Sequence, residues 1–263
     1  MSLNVLFIGD IYGKTGRRAV KHFLPILKKE HSIDFVIANG ENVTHGKGLS
    51  KDHYEELRKI GIDLFTMGNH YLDNKDILKW VDKERVIRPA NILDVSNGKK
   101  TFVFETLKGS VRVSNLLGRN FIKKHKKENP FDSLGEIINK SGEKIHIVDF
   151  HAETTSEKKA LAYYFSNKLS AVVGTHTHIQ TADERIIDGR CGYITDVGFC
   201  GAYESVLGVN IKGAINFIKE GTFTNVSPAV SNHLEFNGVL LKFDLNDGRC
   251  LEIIRVLKNE VVE

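Results

Sequence analysis

The chain has 263 residues, 41% of them hydrophobic and 27% charged, with only four prolines, which excludes a disordered or low-complexity chain and leaves length for a sizeable core. A formal net charge of +4 is too small a surplus to mark a protein that holds long nucleic acid by counterion release. No apolar run approaches the ~20 residues of a membrane helix, and Cys191, Cys200 and Cys250 form no C-x-x-C pair, which points to reduced thiols, a cytoplasmic location and no membrane partner.

Met1 to Ile8 lacks a basic stretch ahead of a long apolar core, so it reads as a first strand, Val5 to Ile8, and not as a signal peptide. A Gly-rich loop and a helix from about Arg17 to Lys29 follow. Phe35 to Ala38 is a second strand, and Ser50 is an N-cap for a helix reaching Ile60. Leu64 to Met67 is a third strand, with a helix from about Asn74 to Val81 behind it. Lys100 to Leu116 alternates through Phe102, Phe104, Val111 and Val113 around Lys108-Gly109, the pattern of a hairpin. Arg119 to Lys127 carries five Lys or Arg in nine positions and one aromatic, Phe121; it is a set of phosphate contacts or, on the plainer reading, a solvated loop or helix face. Asp132 to Asn139 is a short helix, Ile145 to Phe150 a buried strand, Ser156 to about Lys168 a helix, and Ala171 to Gly174 a strand. Val239 to Phe243 and Leu251 to Val256 flank Asn246-Asp247-Gly248 as a closing hairpin. Strands alternating with helices describe a layered α/β chain, and with no repeat or linker in sight residues 1–263 are expected to form one domain.

Asp10, Glu41, Asn69, His70, His151, His176 and His178 each follow an apolar strand directly. That edge of an open α/β sheet is where ligands bind, because loops from several strands converge there. Asp, Glu, Asn and His offer hard oxygen and borderline nitrogen donors, the mixture suited to transition metals in two-metal hydrolytic sites. One histidine after a strand is ordinarily a hydrogen-bonded structural residue. Four of them beside Glu41 and Asn69 would be costly to bury without a ligand. If His176-Thr177-His178 is extended, the two rings share a face; if it is a tight loop, they diverge toward two ions.

Other features carry less. Gly13-Lys14-Thr15-Gly16 precedes a helix but lacks the phosphate-loop spacing, and Arg17 and Arg18 are phosphate contacts or plain surface charge. Gly46-Lys47-Gly48 is a basic loop near the site or a simple turn. Cys200 has no histidine nearby in sequence and reads as a packed, inert thiol. Asp149 and Asp196 are acceptors that orient imidazoles, or turn caps.

The series Gly9-Asp10, Gly40-Glu41-Asn42, Gly68-Asn69-His70, His151 and Gly174-Thr175-His176-Thr177-His178 resembles the calcineurin-like metallophosphoesterase superfamily. Ile8 to Gly13, Ala38 to Asn42, Val148 to Glu153, Gly174 to Asp183 and Tyr193 to Gly198 are similar to its YmdB-like phosphodiesterase branch. The resemblance implies a layered sandwich of two mixed β-sheets flanked by helices. It implies Asp10, Glu41 and His178 on one metal, and Glu41, Asn69, His151 and His176 on the other, with Glu41 bridging. His70 would contact phosphate and protonate the leaving oxygen during in-line attack by a metal-bridging hydroxide. Tyr12 stands where a metal-binding His is usual, and Asn42 is the candidate that compensates. The ions would be divalent or mixed-valence, iron or manganese, with zinc also accepted by these donors. The implied substrate is a small phosphodiester, foremost a 2′,3′-cyclic nucleotide, in a homo-oligomeric enzyme. The same site would serve a phosphomonoesterase or an RNA-processing esterase, with RNA as a partner, or a metal-dependent regulatory protein with weak hydrolysis.

Overall fold

An apolar run without alternation makes a strand that is buried on both faces. In the computed structural model, which describes residues 1–221 and 226–263, β1 (Ser2–Ile8) turns Leu6 and Ile8 to one buried side and Leu3, Val5 and Phe7 to the other. The chain continues through β2 (Asp10–Ile11), α1 (Gly13–His31), β3 (Phe35–Asn39), α2 (Lys51–Ile60), β4 (Leu64–Thr66) and β5 (Val86–Ile87). The hairpin β6 (Thr101–Thr106) and β7 (Gly109–Leu117) comes next, then α3 (Pro130–Asn139), β8 (Ile145–His151), α4 (Thr155–Phe165) and β9 (Ala171–Thr175). Last are β10 (Arg185–Ile187), β11 (Cys191–Ile194), β12 (Phe199–Ala202), α5 (Ile211–Glu220), β13 (His233–Asp244) and β14 (Cys250–Val261).

These strands form two mixed sheets. One runs β2-β12-β13-β1-β3-β4-β5 with β14 also paired to β13; the other runs β10-β11-β9-β8-β7-β6. β1, β3 and β4 are mutually parallel and β13 is antiparallel to β1. In the second sheet β7, β8, β9 and β11 are parallel, and β6 and β10 close its two edges antiparallel. Phe7, Ile37 and Val239 of the first sheet share a core with Val113, Ile147 and Val173 of the second. Val20, Leu24 and Leu57 of α1 and α2 cover the outer face of the first sheet, and Leu134, Leu161 and Phe165 of α3 and α4 cover that of the second. The result is a sandwich of two mixed sheets between layers of helix, as the resemblance implied.

Local differences have physical causes. The span Asn74 to Val81 is not an α-helix but two short 3-10 turns, Lys75–Lys79 and Val81–Lys83. Asn74 caps the first by accepting the Asp76 N–H, and Trp80 at φ −133° breaks the run before an α-helical nucleus forms. Asp10 does not lie in a loop; it opens the two-residue strand β2, paired to β12. No helix among the described residues is long and apolar enough to cross a membrane.

His146, on β8, pairs its Nε2 with Ser114 Oγ at 2.8 Å in the interior, and burial pushes its pKa down to about 3. The unfolded chain therefore binds a proton that the folded chain refuses between pH about 6.5 and about 3. This contribution is complete above the unfolded value and is lost as pH falls through the folded one. His146→Asn is expected to flatten the acid limb of a Tm-versus-pH curve, and an unchanged limb would show that His146 is not the proton acceptor.

Candidate metal centre and active site

The two sheets bring the ends of β1, β3, β4, β8 and β9 together, and with them every residue singled out at the strand ends. Glu41 and Asn42 follow β3, Asn69 and His70 follow β4, His151 ends β8, and His176 and His178 follow β9. Asp10, Glu41 and His151 are buried, and Asn42, Asn69 and His178 nearly so. His151 Nε2 lies 3.1 Å from Glu41 Oε1, from Asn69 Oδ1 and from His176 Nδ1. His178 Nε2 lies 3.3 Å from Asn42 Oδ1, and Asp10 Oδ2 accepts the His176 N–H at 3.2 Å.

Following the protons shows what this cluster fits. Thr175 donates its hydroxyl proton to Asp149 Oδ1 at 2.7 Å and so can only accept from His151 Nδ1, 2.8 Å away. His176 Nε2 pairs with Glu153 Oε2 at 2.9 Å, and His178 Nδ1 donates to the Leu207 carbonyl at 3.0 Å. Each imidazole thus gives its proton to an outer acceptor and turns a bare nitrogen inward, the arrangement of histidines that bind metal. Those nitrogens face oxygens that also only accept: Glu41 Oε1, Asn69 Oδ1, and Asn42 Oδ1, whose amide is oriented by donation from Nδ2 to the Gly46 carbonyl. Asp10 Oδ1 is buried with no hydrogen-bond partner. Lone pairs converging on lone pairs need either a cation or a second proton on one of the imidazoles between them, and with a buried orphan oxygen beside them the donor set fits metal ions. Among the described residues Glu41, His151 and His176 place one donor each within 4.8 Å of one another.

Where a proton takes the place of an ion among these donors, it rests on His151 Nε2, toward Glu41. Burial raises Glu41, but the charge and hydrogen bond of His151 outweigh it and hold the carboxyl below the ordinary range. Burial lowers His151, but Glu41 foremost, then Asp10 and Asp149, lift it to about 9. Burial drives Asp10 well above its usual value, opposed by His151. Burial pushes His176 down to about 3 and lowers His178 too, which leaves both in the neutral form that metal coordination needs.

Backbone around the cluster is shaped for it. The H-x-H segment is a tight loop and not an extended one: His176 and His178 have φ of 102° and 63°, and the two rings diverge, one to His151 and one to Asn42. Thr177 between them donates its N–H to Asp196 Oδ2 at 3.0 Å, while Asp196 Oδ1 accepts from Gly198 N–H at 2.9 Å. Gly198 in turn accepts the Asp10 N–H at 3.1 Å. Asp196 is held by Lys158, whose Nζ lies 2.8 Å from Oδ2 with both side chains fully buried. Nothing in the sequence pattern pointed to Lys158. A side chain on Gly68 would put a Cβ 2.3 Å from Glu41 Oε2 and 2.4 Å from His151 Nε2, so G-N-H needs its glycine for clearance. Tyr12, in the place of a usual ligand, packs edge-on against His178 with ring centroids 5.6 Å apart.

His70 stands apart from the cluster. Its N–H donates to Glu41 Oε2 at 2.9 Å, and its Nδ1 lies 2.6 Å from Asp73 Oδ2, which leaves Nε2 without a hydrogen-bond partner among the described residues to hold it back from a substrate. The basic segment 119–127 is not merely a solvated face. Lys124 Nζ donates to Asp73 at 2.6 and 2.7 Å and lies 3.0 Å from His70 Nδ1. His125 Nε2 contacts the Asn69 carbonyl at 3.1 Å. Sequence spacing gave no sign of these contacts, because residues 124 and 70 come from different sheets.

The weaker motifs resolve as structure. Arg17 bonds Glu56 and the Val43 carbonyl, and Arg18 bonds the Ser231 carbonyl and Asn232. Cys200 is fully buried against the Asn237 carbonyl and burial raises its thiol, as a packed, inert cysteine requires.

The chain matches the family described as YmdB-like protein over residues 6–256. It is 40% identical to a Mycoplasma pneumoniae protein named "Putative phosphatase/phosphodiesterase", over 98% of this chain and 95% of that one. It is 38% identical to a 2′,3′-cyclic-nucleotide 2′-phosphodiesterase of Bacillus subtilis, over 98% of each. The crystal structure of a phosphatase from Mycoplasma pneumoniae superposes with a TM-score of 0.93 at 38% identity, covering 100% of this chain and 95% of that one. On these matches and this geometry, the chain belongs to the YmdB-like family and is a phosphoesterase.

Proposed function

We propose that the protein is a phosphodiesterase with two transition-metal ions, hydrolysing small phosphodiesters and foremost 2′,3′-cyclic nucleotides. The observation that carries this is the convergence of bare nitrogens and acceptor oxygens from His151, His176, His178, Glu41, Asn69 and Asn42 around the orphaned Asp10 Oδ1. Asp10, Glu41, His178 and Asn42 would hold one ion, and Glu41, Asn69, His151 and His176 the other. The ions would supply Lewis acidity and a nucleophile near neutral pH. The protein does the rest: Glu41 fixes the His70 backbone, Asp73 fixes the His70 ring, and His70 donates its Nε2 proton to the leaving oxygen. Similarity to the Bacillus subtilis phosphodiesterase supports the choice of substrate.

Elemental analysis of protein purified without chelator should find two transition-metal ions per chain, and none under metal-replete conditions overturns the proposal. At fixed Mn²⁺, kcat/KM should be highest for 2′,3′-cyclic AMP among 2′,3′-cyclic AMP, 3′,5′-cyclic AMP, p-nitrophenyl phosphate and short RNA. A preference for the monoester or for RNA would assign the same centre to a phosphomonoesterase or an RNA-processing esterase.

A further inference from the structure

The segment from Arg119 to Lys127 is tied to the candidate active site at both ends and holds an aromatic ring in water between the ties. At its start the Gly118 N–H donates to the carbonyl of His151 at 2.9 Å, and the Arg119 and Asn120 N–H groups donate to the Glu157 carboxylate. At its end Lys124 grips Asp73 beside His70, and His125 reaches the Asn69 carbonyl. Ile122 is sunk in the core. Its neighbour Phe121 is 82% exposed and sits at φ 63°.

That combination is unfavourable twice over. A bulky side chain seldom adopts the left-handed backbone region, and an exposed benzyl group recovers none of its burial energy. Lone exposed apolar side chains are common on protein surfaces, but this one is strained, anchored on both sides and three residues from the lysine that touches His70. Strain that the surrounding structure maintains gathers at ligand clamps. Phe121 lies between two ties to that site, from Gly118 to the His151 carbonyl and from Lys124 to His70, so its ring stands on the short loop that flanks a phosphate held at His70. Arg119 and Lys123, both exposed, add positive charge on either side of the ring.

We infer that Phe121 is a stacking platform for the base of a nucleotide substrate whose phosphate is held at His70, with Arg119 and Lys123 beside it attracting the anion. The inference rests on the phosphodiesterase reading above and narrows its substrate to one that carries a base. An aromatic face accepts any base, so the platform confers a preference for nucleotides without selecting among the four.

The test compares 2′,3′-cyclic AMP with base-free ribose 2′,3′-cyclic phosphate in the metal-loaded protein. Phe121→Ala should shrink the preference for the nucleotide over the base-free ester by roughly tenfold, through KM, and Phe121→Trp should restore it. An unchanged preference in Phe121→Ala overturns the inference and leaves the phosphodiesterase reading standing. Calorimetric binding of 3′-AMP against ribose 3-phosphate decides the matter even if neither ester is turned over. Tighter binding of 3′-AMP that Phe121→Ala abolishes supports stacking, and equal binding by the wild type refutes it. Failure of the wild type on both esters counts against the proposed activity alone.

Discussion

Glu41→Gln is expected to lower phosphodiester hydrolysis by roughly a thousandfold, the ~4 kcal/mol scale on which two cations act on a developing phosphoryl charge. The substitution keeps the volume of a fully buried side chain, so the fold should survive. It changes what the two terminal atoms can do. Oε2 accepts the N–H of His70 and Oε1 faces the bare Nε2 of His151. A glutamine has one oxygen for these two tasks. With its NH₂ toward His70, two donors collide and the backbone that carries the proposed acid shifts. With its NH₂ toward His151, two protons enter the space proposed for a cation, and the charge offsetting that cation is gone. Either orientation should reduce bound metal as well as turnover. Circular dichroism would show the fold, elemental analysis the metal and a kinetic assay the loss; wild-type metal content together with wild-type turnover would rule out Glu41 as the shared ligand.

The donor set could be read from sequence because it lies at strand ends, and strands here are short apolar runs with sharp polar boundaries. Asp10, Glu41, Asn69, His151, His176 and His178 each stand within three residues of such a boundary, so one rule about sheet edges gathered them. The residues that orient them could not be found that way. Glu153 on His176, Thr175 on His151 and the Leu207 carbonyl on His178 act through atoms whose positions depend on how two sheets meet. The charge of Lys124 and His125 suits solvent or phosphate equally, and only the approach of the second sheet's loops to β4 reveals them as contacts of His70 and Asn69. The fold divides in the same way. Strands buried on both faces announced themselves, whereas β10, β11 and β12 are three or four residues long and too brief for any period to be counted. At Asn74 to Val81 the apolar spacing was helical in pattern, but the capped 3-10 turn won locally.

Lys158 is the case in which charge, burial and strain meet, and it yields the largest expected loss of stability. Lys158→Met should lower stability by about 3 to 5 kcal/mol, the measured scale for stranding one partner of a buried ion pair, and Tm by roughly 10 °C for a chain of this length. Methionine can follow the lysine stem past Gly174, where a Cβ would lie 2.8 Å from Lys158 Cδ, so packing is nearly retained and the lost charge dominates. Asp196 would then be a buried anion without a counter-ion, close enough to Asp10 for the two carboxyl groups to repel. A carboxylate no longer anchored by Lys158 is free to shift, and any shift strains the two bonds it accepts, from the Thr177 N–H and from the Gly198 N–H. The first bond holds the left-handed turn that aims His176 and His178 apart; the second steadies the strand that presents Asp10. Metal content should therefore fall along with Tm, which a purely structural ion pair would not require. In the double variant Lys158→Met/Asp196→Asn the stranded charge is gone, and part of the stability should return as a coupling energy above ~1 kcal/mol, while metal content stays low because Asn offers one acceptor where Asp offered two. Single variants within ~0.5 kcal/mol of wild type would show that the pair does not hold the loop. Buried ion pairs are weak stabilisers compared with apolar replacements, so one retained beneath two strained histidines is better explained by the geometry it imposes than by the stability it adds.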